Sequence, residues 1–304
     1  MVDFVPSEKG VTIRQPSTAN LLIDSVDRYR KDASGNLLPL NLQPLVNSFI
    51  INKPQSILNG FFTRIGTTEV VLEWNTANIG GLFNNESLTI DLSGSTSGTA
   101  SPTVLAPTGF YTQAQLINWA ILQLNNLSAS TTPSPTWSVS ATTTGQYALV
   151  PSANVYVRFS GPLAVLLGWN ASVLVQYGPT APAKGFIIPA ADLRPYRFID
   201  FVSNQLTYNQ DLKDSSTGPT DRDVLCRWYF DFDQPPDLDQ YGFPILMGYT
   251  SFYLRRTFSP AKQIKWSANQ PIGQLGFEVY GNDNALANMN FQTQWLMTLQ
   301  ISEV

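Results

Sequence analysis

Residues 224–232 alternate almost without exception: Val224, Cys226, Trp228, Phe230 and Phe232 fall on one side, and Leu225, Arg227, Tyr229 and Asp231 on the other. A period of two marks a half-buried strand, because successive side chains of an extended backbone point to opposite faces of a sheet. The pattern returns near the C-terminus, where Thr293, Trp295, Met297, Leu299 and Ile301 oppose Gln292, Gln294, Thr298 and Gln300, broken only by Leu296. Leu275, Phe277 and Val279 give a third case, and Val70, Leu72 and Trp74 a fourth, with Glu73 turned away. Further strand-like runs at 49–51, 57–65, 198–206, 252–256 and 264–266 are separated by Pro, Gly, Asn and Asp. No helix-length repeat lies between them to carry parallel crossovers, so the flanks predict a mainly β fold, an antiparallel sandwich of jelly-roll type.

The middle of the chain has a different texture. Between 82 and 183 the only ionisable acids and bases are Glu86, Asp91 and Arg158, amid Ser, Thr, Asn and Gln. Here a strand at 88–92 precedes a Gly and Ser rich loop, and Thr112 with Gln115 forms a capping box ahead of Leu116, Trp119, Ala120, Leu124 and Leu127 at helical spacing. Short strands at 137–141, 147–150 and 155–159 complete a small α+β unit with one helix on a sheet. Residues 1–45, rich in proline and without periodicity, read as an extended N-terminal arm. The expected organisation is an arm at 1–45, a jelly-roll base from 46–81 and 184–304, and an inserted, outward-facing domain at 82–183, with 180–183 as the return linker.

Composition restricts the chemistry. Of 304 residues none is histidine and one, Cys226, is cysteine, which removes Ser-His-Asp triads, Cys-His dyads, imidazole metal sites and disulfides within the chain. Only 13% of residues are charged, about half the usual quarter, so solubility must rest on neutral polar groups or on surface buried in an assembly. A net charge of -4 with no basic run offers no field for nucleic acid. No apolar stretch reaches the length of a membrane span or a secretory leader, and an intracellular, reducing place of assembly fits the single cysteine.

The densest carboxylates, Asp231, Asp233, Asp237 and Asp239, suggest either oxygen ligation of a cation or acid-base work on a glycoside. The calcium-loop spacing is missing, and a solvated acidic loop after a strand is the preferred reading. The 78–82 segment, with Gly80 and Gly81, lacks the Lys-Ser or Lys-Thr of a phosphate loop and reads as a turn. Arg255 and Arg256 are expected to meet a neighbour's carboxylates, and Cys226 to be buried and inert. Trp119, Trp137, Tyr147 and Trp169 suit either sugar stacking or a small core. The residues therefore point to no catalytic, cofactor or metal site.

Several stretches, in order along nearly the whole chain, resemble the penton, or minor capsid, proteins of virophages and polinton-like viruses, of mavirus-like type. They are residues 18–28, 59–65 with Glu69-Val70-Val71, Gly109-Phe110-Tyr111-Thr112, 269–273, and Leu275 to Tyr280 with the closing strand to Ser302-Glu303. The resemblance implies a structural virion protein with no reaction and no cofactor. It implies a single jelly roll, a homopentamer that plugs each icosahedral vertex among trimers of a double jelly-roll major capsid protein, with the insertion outside and the arm along neighbouring subunits. A virion location with assembly in the host-cell cytoplasm follows. Two other readings stand beside it: a carbohydrate- or receptor-binding module using the aromatics of the insertion to meet a host receptor or glycan, and, more distantly, a carboxylate-dependent glycosidase.

Overall fold

The computed structural model describes residues 18–52, 63–92, 101–131, 134–179, 185–207, 224–231, 237–259, 263–265, 272–283 and 285–302. Expectations placed on 1–17, 57–62, the Gly and Ser rich loop, the linker 180–183, and on Phe232, Asp233, Trp266, 269–271 and Glu303 lie outside those residues.

The chain opens with β1 (Thr18–Asp24), β2 (Ser48–Asn52) and β3 (Arg64–Trp74). It then runs through β4 (Ser87–Asp91), β5 (Thr103–Leu105), helix α1 (Gln113–Ser128), β6 (Trp137–Ala141), β7 (Tyr147–Pro151), β8 (Val155–Ser160), the short helix α2 (Pro162–Leu166), β9 (Val175–Tyr177) and β10 (Phe186–Ile187). It closes with β11 (Phe198–Val202), the single turn α3 (Asn204–Thr207), β12 (Val224–Tyr229), β13 (Phe252–Thr257), β14 (Gln263–Lys265), β15 (Gln274–Gly281) and β16 (Gln294–Ser302).

Two antiparallel sheets form the sandwich, one ordered β1-β16-β3-β13 with β14 beside one end of β3, the other β12-β11-β15-β2. Leaving β14 aside and numbering the remaining strands along the chain, the orders are 1-8-3-6 and 5-4-7-2. Every connection but β11 to β12 crosses between sheets, which is the jelly roll that the alternating segments predict. Because the strands alternate in direction, the connections β1–β2, β3–β11, β12–β13 and β15–β16 all lie at one end. Their contacts agree: Arg28 Nη2 donates to the Phe291 carbonyl at 2.9 Å, Asn47 Nδ2 to that of Ala287 at 2.7 Å, and the Asn290 amide to Thr76 Oγ1 at 2.6 Å.

The core follows from the period of two. On β16, Trp295, Met297, Leu299 and Ile301 are buried while their neighbours are not. Trp295 packs on Phe49, Phe201 and Phe277 with ring centres 5.2–5.7 Å apart, and its indole N–H donates to the Val46 carbonyl at 3.3 Å. A second aromatic group gathers Trp74 with Phe230 at 4.9 Å, and with Phe252 and Tyr196 at 6.4 Å. Where register shifts, so does the pattern. β3 skips a residue against β16 between Glu69 and Thr67, so the inward set changes from Ile65 and Thr67 to Val70, Leu72 and Trp74.

Three expectations are corrected here. Leu225, placed by alternation on the outer face, is fully buried, because β12 bulges against β11 between Val224 and Cys226. Residues 18–24, assigned to an extended arm, form β1, hydrogen-bonded along β16 from Thr18 opposite Ser302 to Asp24 opposite Leu296. Only Ile23 of that strand is buried, as befits an edge strand. The middle unit has more than one helix and one sheet: its sheets are β5-β4-β8-β9 and β10-β7-β6, and the apolar run from 162 carries α2. Gly161 starts α2 at φ 97°, a conformation that favours glycine, and a Cβ there would meet the Ser87 carbonyl oxygen at 3.0 Å.

Helix α1 has the predicted capping box, with the Gln115 amide donating to Thr112 Oγ1 at 3.3 Å and the Thr112 amide to Gln115 Oε1 at 2.9 Å. Its buried side contributes Leu116, Ile117, Ala120 and Leu124 to a second core that gathers residues from Ile79 to Leu193 and is separate from the sandwich core. That core reaches past the expected 82–183 because β10 pairs with β7 and Phe186 packs on Phe159, Trp169 and Tyr177 with ring centres 5.6–5.7 Å apart.

Candidate functional site

The carboxylates singled out by sequence that lie among the described residues, Asp231, Asp237 and Asp239, do not converge. Asp231 lies on the surface in an ion pair with Arg194 at 2.7 Å, and Arg194 is also held by Asp192 at 2.7 Å. Asp239 faces the other way, accepting the Ala114 amide at the start of α1 at 3.0 Å and the amides of Tyr241 and Phe243 at 2.9 and 3.0 Å. It fixes a turn against the positive end of a helix. Asp237 is exposed beside Leu238. Among the described residues no group of three or more His, Cys, Asp or Glu side chains is placed to hold a metal ion.

The remaining candidates are accounted for in the same manner. Arg255 bonds the Glu69 carboxylate on adjacent β3, and the Arg256 guanidinium lies 5.2 Å from the Trp228 ring centre. Cys226 is buried in the sandwich core. Trp137 and Trp169 are buried in the second core, with Trp119 and Tyr147 packed against it, and the Trp137 indole donates to Ser128 Oγ at 3.1 Å. Trp137 and Trp169 are thus core, and Trp119 and Tyr147 are half-buried at its margin. The 78–82 segment turns, as predicted, through a backbone bond from the Phe83 amide to the Gly80 carbonyl at 3.1 Å.

Electrostatics of the molecule are local and structural. The only two residues of opposite charge in the uncharged stretch that meet are Asp91 and Arg158, cross-strand partners bonded at 2.7 Å with the Asp91 side chain almost wholly buried. Arg227 grips Asp200 through two bonds at 2.7 and 3.0 Å, and that carboxylate raises its pKa. Burial pushes the Tyr196 hydroxyl up to about 12. Arg28 is 1% exposed and no carboxylate among the described residues is bonded to it: it donates to the Ser25 carbonyl at 2.6 Å and lies 4.4 and 5.1 Å from the Tyr29 and Phe291 ring centres. Burial lowers its pKa. Burial raises the Asp192 carboxyl, but bonds from Arg194 and the charges of Arg194 and Arg197 outweigh that and leave it below its ordinary value.

The junction between the two cores centres on buried Asn78. Its Nδ2 donates to the Tyr111 and Leu193 carbonyls at 2.8 and 3.3 Å, and its Oδ1 accepts the Tyr111 amide at 2.9 Å. A small cleft lies beside it, between Tyr111, Gln113, Leu193, Ile245 and Tyr249.

The surface feature sequence reasoning missed is apolar. In the β1–β2 connection Leu37, Leu40, Leu42 and Leu45 are 61, 66, 58 and 59% exposed. Single exposed leucines are ordinary, but four within one connection are not. The display is anchored from beneath by Gln43, whose Oε1 accepts the Arg30 amide at 2.6 Å and whose Nε2 donates to the Leu38 and Arg30 carbonyls at 2.8 and 3.0 Å. The signal in sequence is the spacing of these leucines, which fits neither strand nor helix.

No helix among the described residues is long and apolar enough to cross a membrane. No protein-family model and no curated protein matches the sequence. Among solved structures the chain is similar to the crystal structure of selenomethionine-labelled mavirus penton protein, at a TM-score of 0.45 and 12% identity, over 96% of this chain and 100% of that one.

Proposed function

We propose that this protein is a structural capsid subunit, five copies of which form the vertex capsomer of an icosahedral virion. In this reading the jelly roll is the base that packs among trimers of a major capsid protein. The unit between residues 78 and 193 faces outward, and assembly takes place in the host-cell cytoplasm. The observation that carries the reading is the row of exposed leucines that Gln43 anchors in the β1–β2 connection: an apolar surface held in place on a chain poor in charge is what a subunit presents to another chain. The position of the long insertion supports it, since everything added between β3 and β11 emerges at one end of the sandwich and leaves the sides free for neighbours.

Native mass spectrometry of the purified protein, alone and with a double jelly-roll major capsid protein, tests the reading. The expected species is five times the 33.6 kDa chain, alone or on adding the partner. A 33.6 kDa monomer in both samples overturns it.

A further inference from the structure

The jelly roll has two lateral sides, and they differ. On one, β1 and β2 are the outer strands of their sheets, and the connection between them carries the four leucines. On the other, β12 and β13 are the outer strands, with Tyr253 of β13 69% and Tyr229 of β12 43% exposed, and in the connection between them Leu238, next to the Asp239 that anchors α1, is 65% exposed. The two connections, β1–β2 and β12–β13, lie at the same end of the sandwich. Their charges differ. At 25–47 Arg28 is buried, and exposed Arg30 and Lys31 stand against exposed Asp27 and Asp32, the Asp32 carboxylate being tied to the amides of Ser34 and Asn36. Residues 230–251 contain acids and no Lys or Arg; Asp237 is exposed, and Asp231 is exposed but paired with Arg194.

We infer that the leucine row of one copy seats on the β12–β13 side of the next, with Leu40 and Leu42 against Leu238 and Tyr253 and with Arg30 and Lys31 facing the acidic connection. The occupant of each surface is thus a second copy of this chain. The contact is heterologous, joining two different surfaces, and because both lie at one level of the sandwich successive copies advance around an axis and close a ring. The inference rests on the proposal that the protein self-assembles, and adds which faces meet.

Cysteine placement tests it on the full chain, since the sole native cysteine, Cys226, is buried. Leu42→Cys and Leu238→Cys are both at exposed positions, so neither opens the core. With a short bismaleimide, the inference predicts dimers between chains when the two variants are mixed and co-assembled, and none from either variant alone. Cross-linking of Leu42→Cys to itself means a two-fold contact and overturns it. An assembled protein that gives no mixed cross-link overturns it too, while leaving the capsid reading intact. A protein that never assembles overturns both. As a second readout, Leu40→Glu with Leu42→Glu weakens self-association by about thirtyfold or more, the scale on which a central interface side chain acts. Unchanged association in that variant, with its melting temperature intact, also contradicts the assigned face.

Discussion

The sandwich and the inserted unit are built from the same polypeptide by different means. The sandwich core is aromatic, with Trp74, Trp228 and Trp295 fully enclosed and its strands braced at the surface by Arg227 with Asp200 and Arg255 with Glu69. The insertion combines aliphatic packing under α1 and α2 with an aromatic group around Phe159, Trp169 and Phe186, one internal ion pair among its described residues, Asp91 with Arg158, and a sequence rich in hydroxyls and amides. Acid-base pairs hold fixed registers but tie a surface to its charges. A nearly uncharged module gives up that bracing and keeps a neutral surface. The jelly roll is held by aromatic packing and by charge pairs across its strands, and the insertion has its own core, joined to the sandwich through Asn78, Asp239 and Arg194.

If the two cores are separate cooperative units, substitutions should act on one at a time. Trp295→Ala empties the centre of the sandwich and should cost it about 3–5 kcal/mol, and Leu124→Ala should cost the insertion about 2–5 kcal/mol. Differential scanning calorimetry should show each variant lowering its own transition. A single transition shifted alike by both would break the comparison.

The junction gives a smaller effect. Asn78→Ala leaves the Tyr111 amide and two carbonyls without their partner inside the protein, at a cost of about 1–3 kcal/mol. It should raise amide exchange around both 76–80 and 109–113, whereas exchange confined to one side would place Asn78 within a single unit. Smaller again, Asp239→Ala removes the acceptor for the Ala114 amide and should cost about 1 kcal/mol, read as faster exchange in the first turn of α1.

The least effect is expected from pH. Because Asp192 is held below its ordinary value of 3.8, its contribution is complete above that value and is lost as pH falls through the lower folded-state value. Acid titration should therefore loosen the Arg194 clamp only below pH about 4. Asp192→Asn should remove that acid dependence, and a clamp that instead weakened on raising the pH would contradict the assignment.

How much of this was readable from sequence depends on where each residue's partner sits. β12, β15 and β16 lie with one face on the core, so their alternation is written in the chain, and the α1 cap is local to Thr112 and Gln115. β1 was not readable: as an edge strand it buries little more than Ile23, and its pairing with β16 spans nearly the whole chain. Nor was Asp239 identifiable as an anchor for α1, since its partner is 125 residues away. Leu225 was misplaced because a bulge changes phase without changing composition. The leucine display was missed for a plainer reason: its spacing signals only the absence of strand or helix, whereas exposure depends on what surrounds a side chain, and an isolated leucine in sequence reads as core.

The central claim is that copies of this chain close a ring through opposite sides of the jelly roll. Class averages of the purified assembly by negative-stain electron microscopy test it most directly. The account predicts rings of five with the insertions projecting from one end, and isolated chains or two-fold pairs would contradict it.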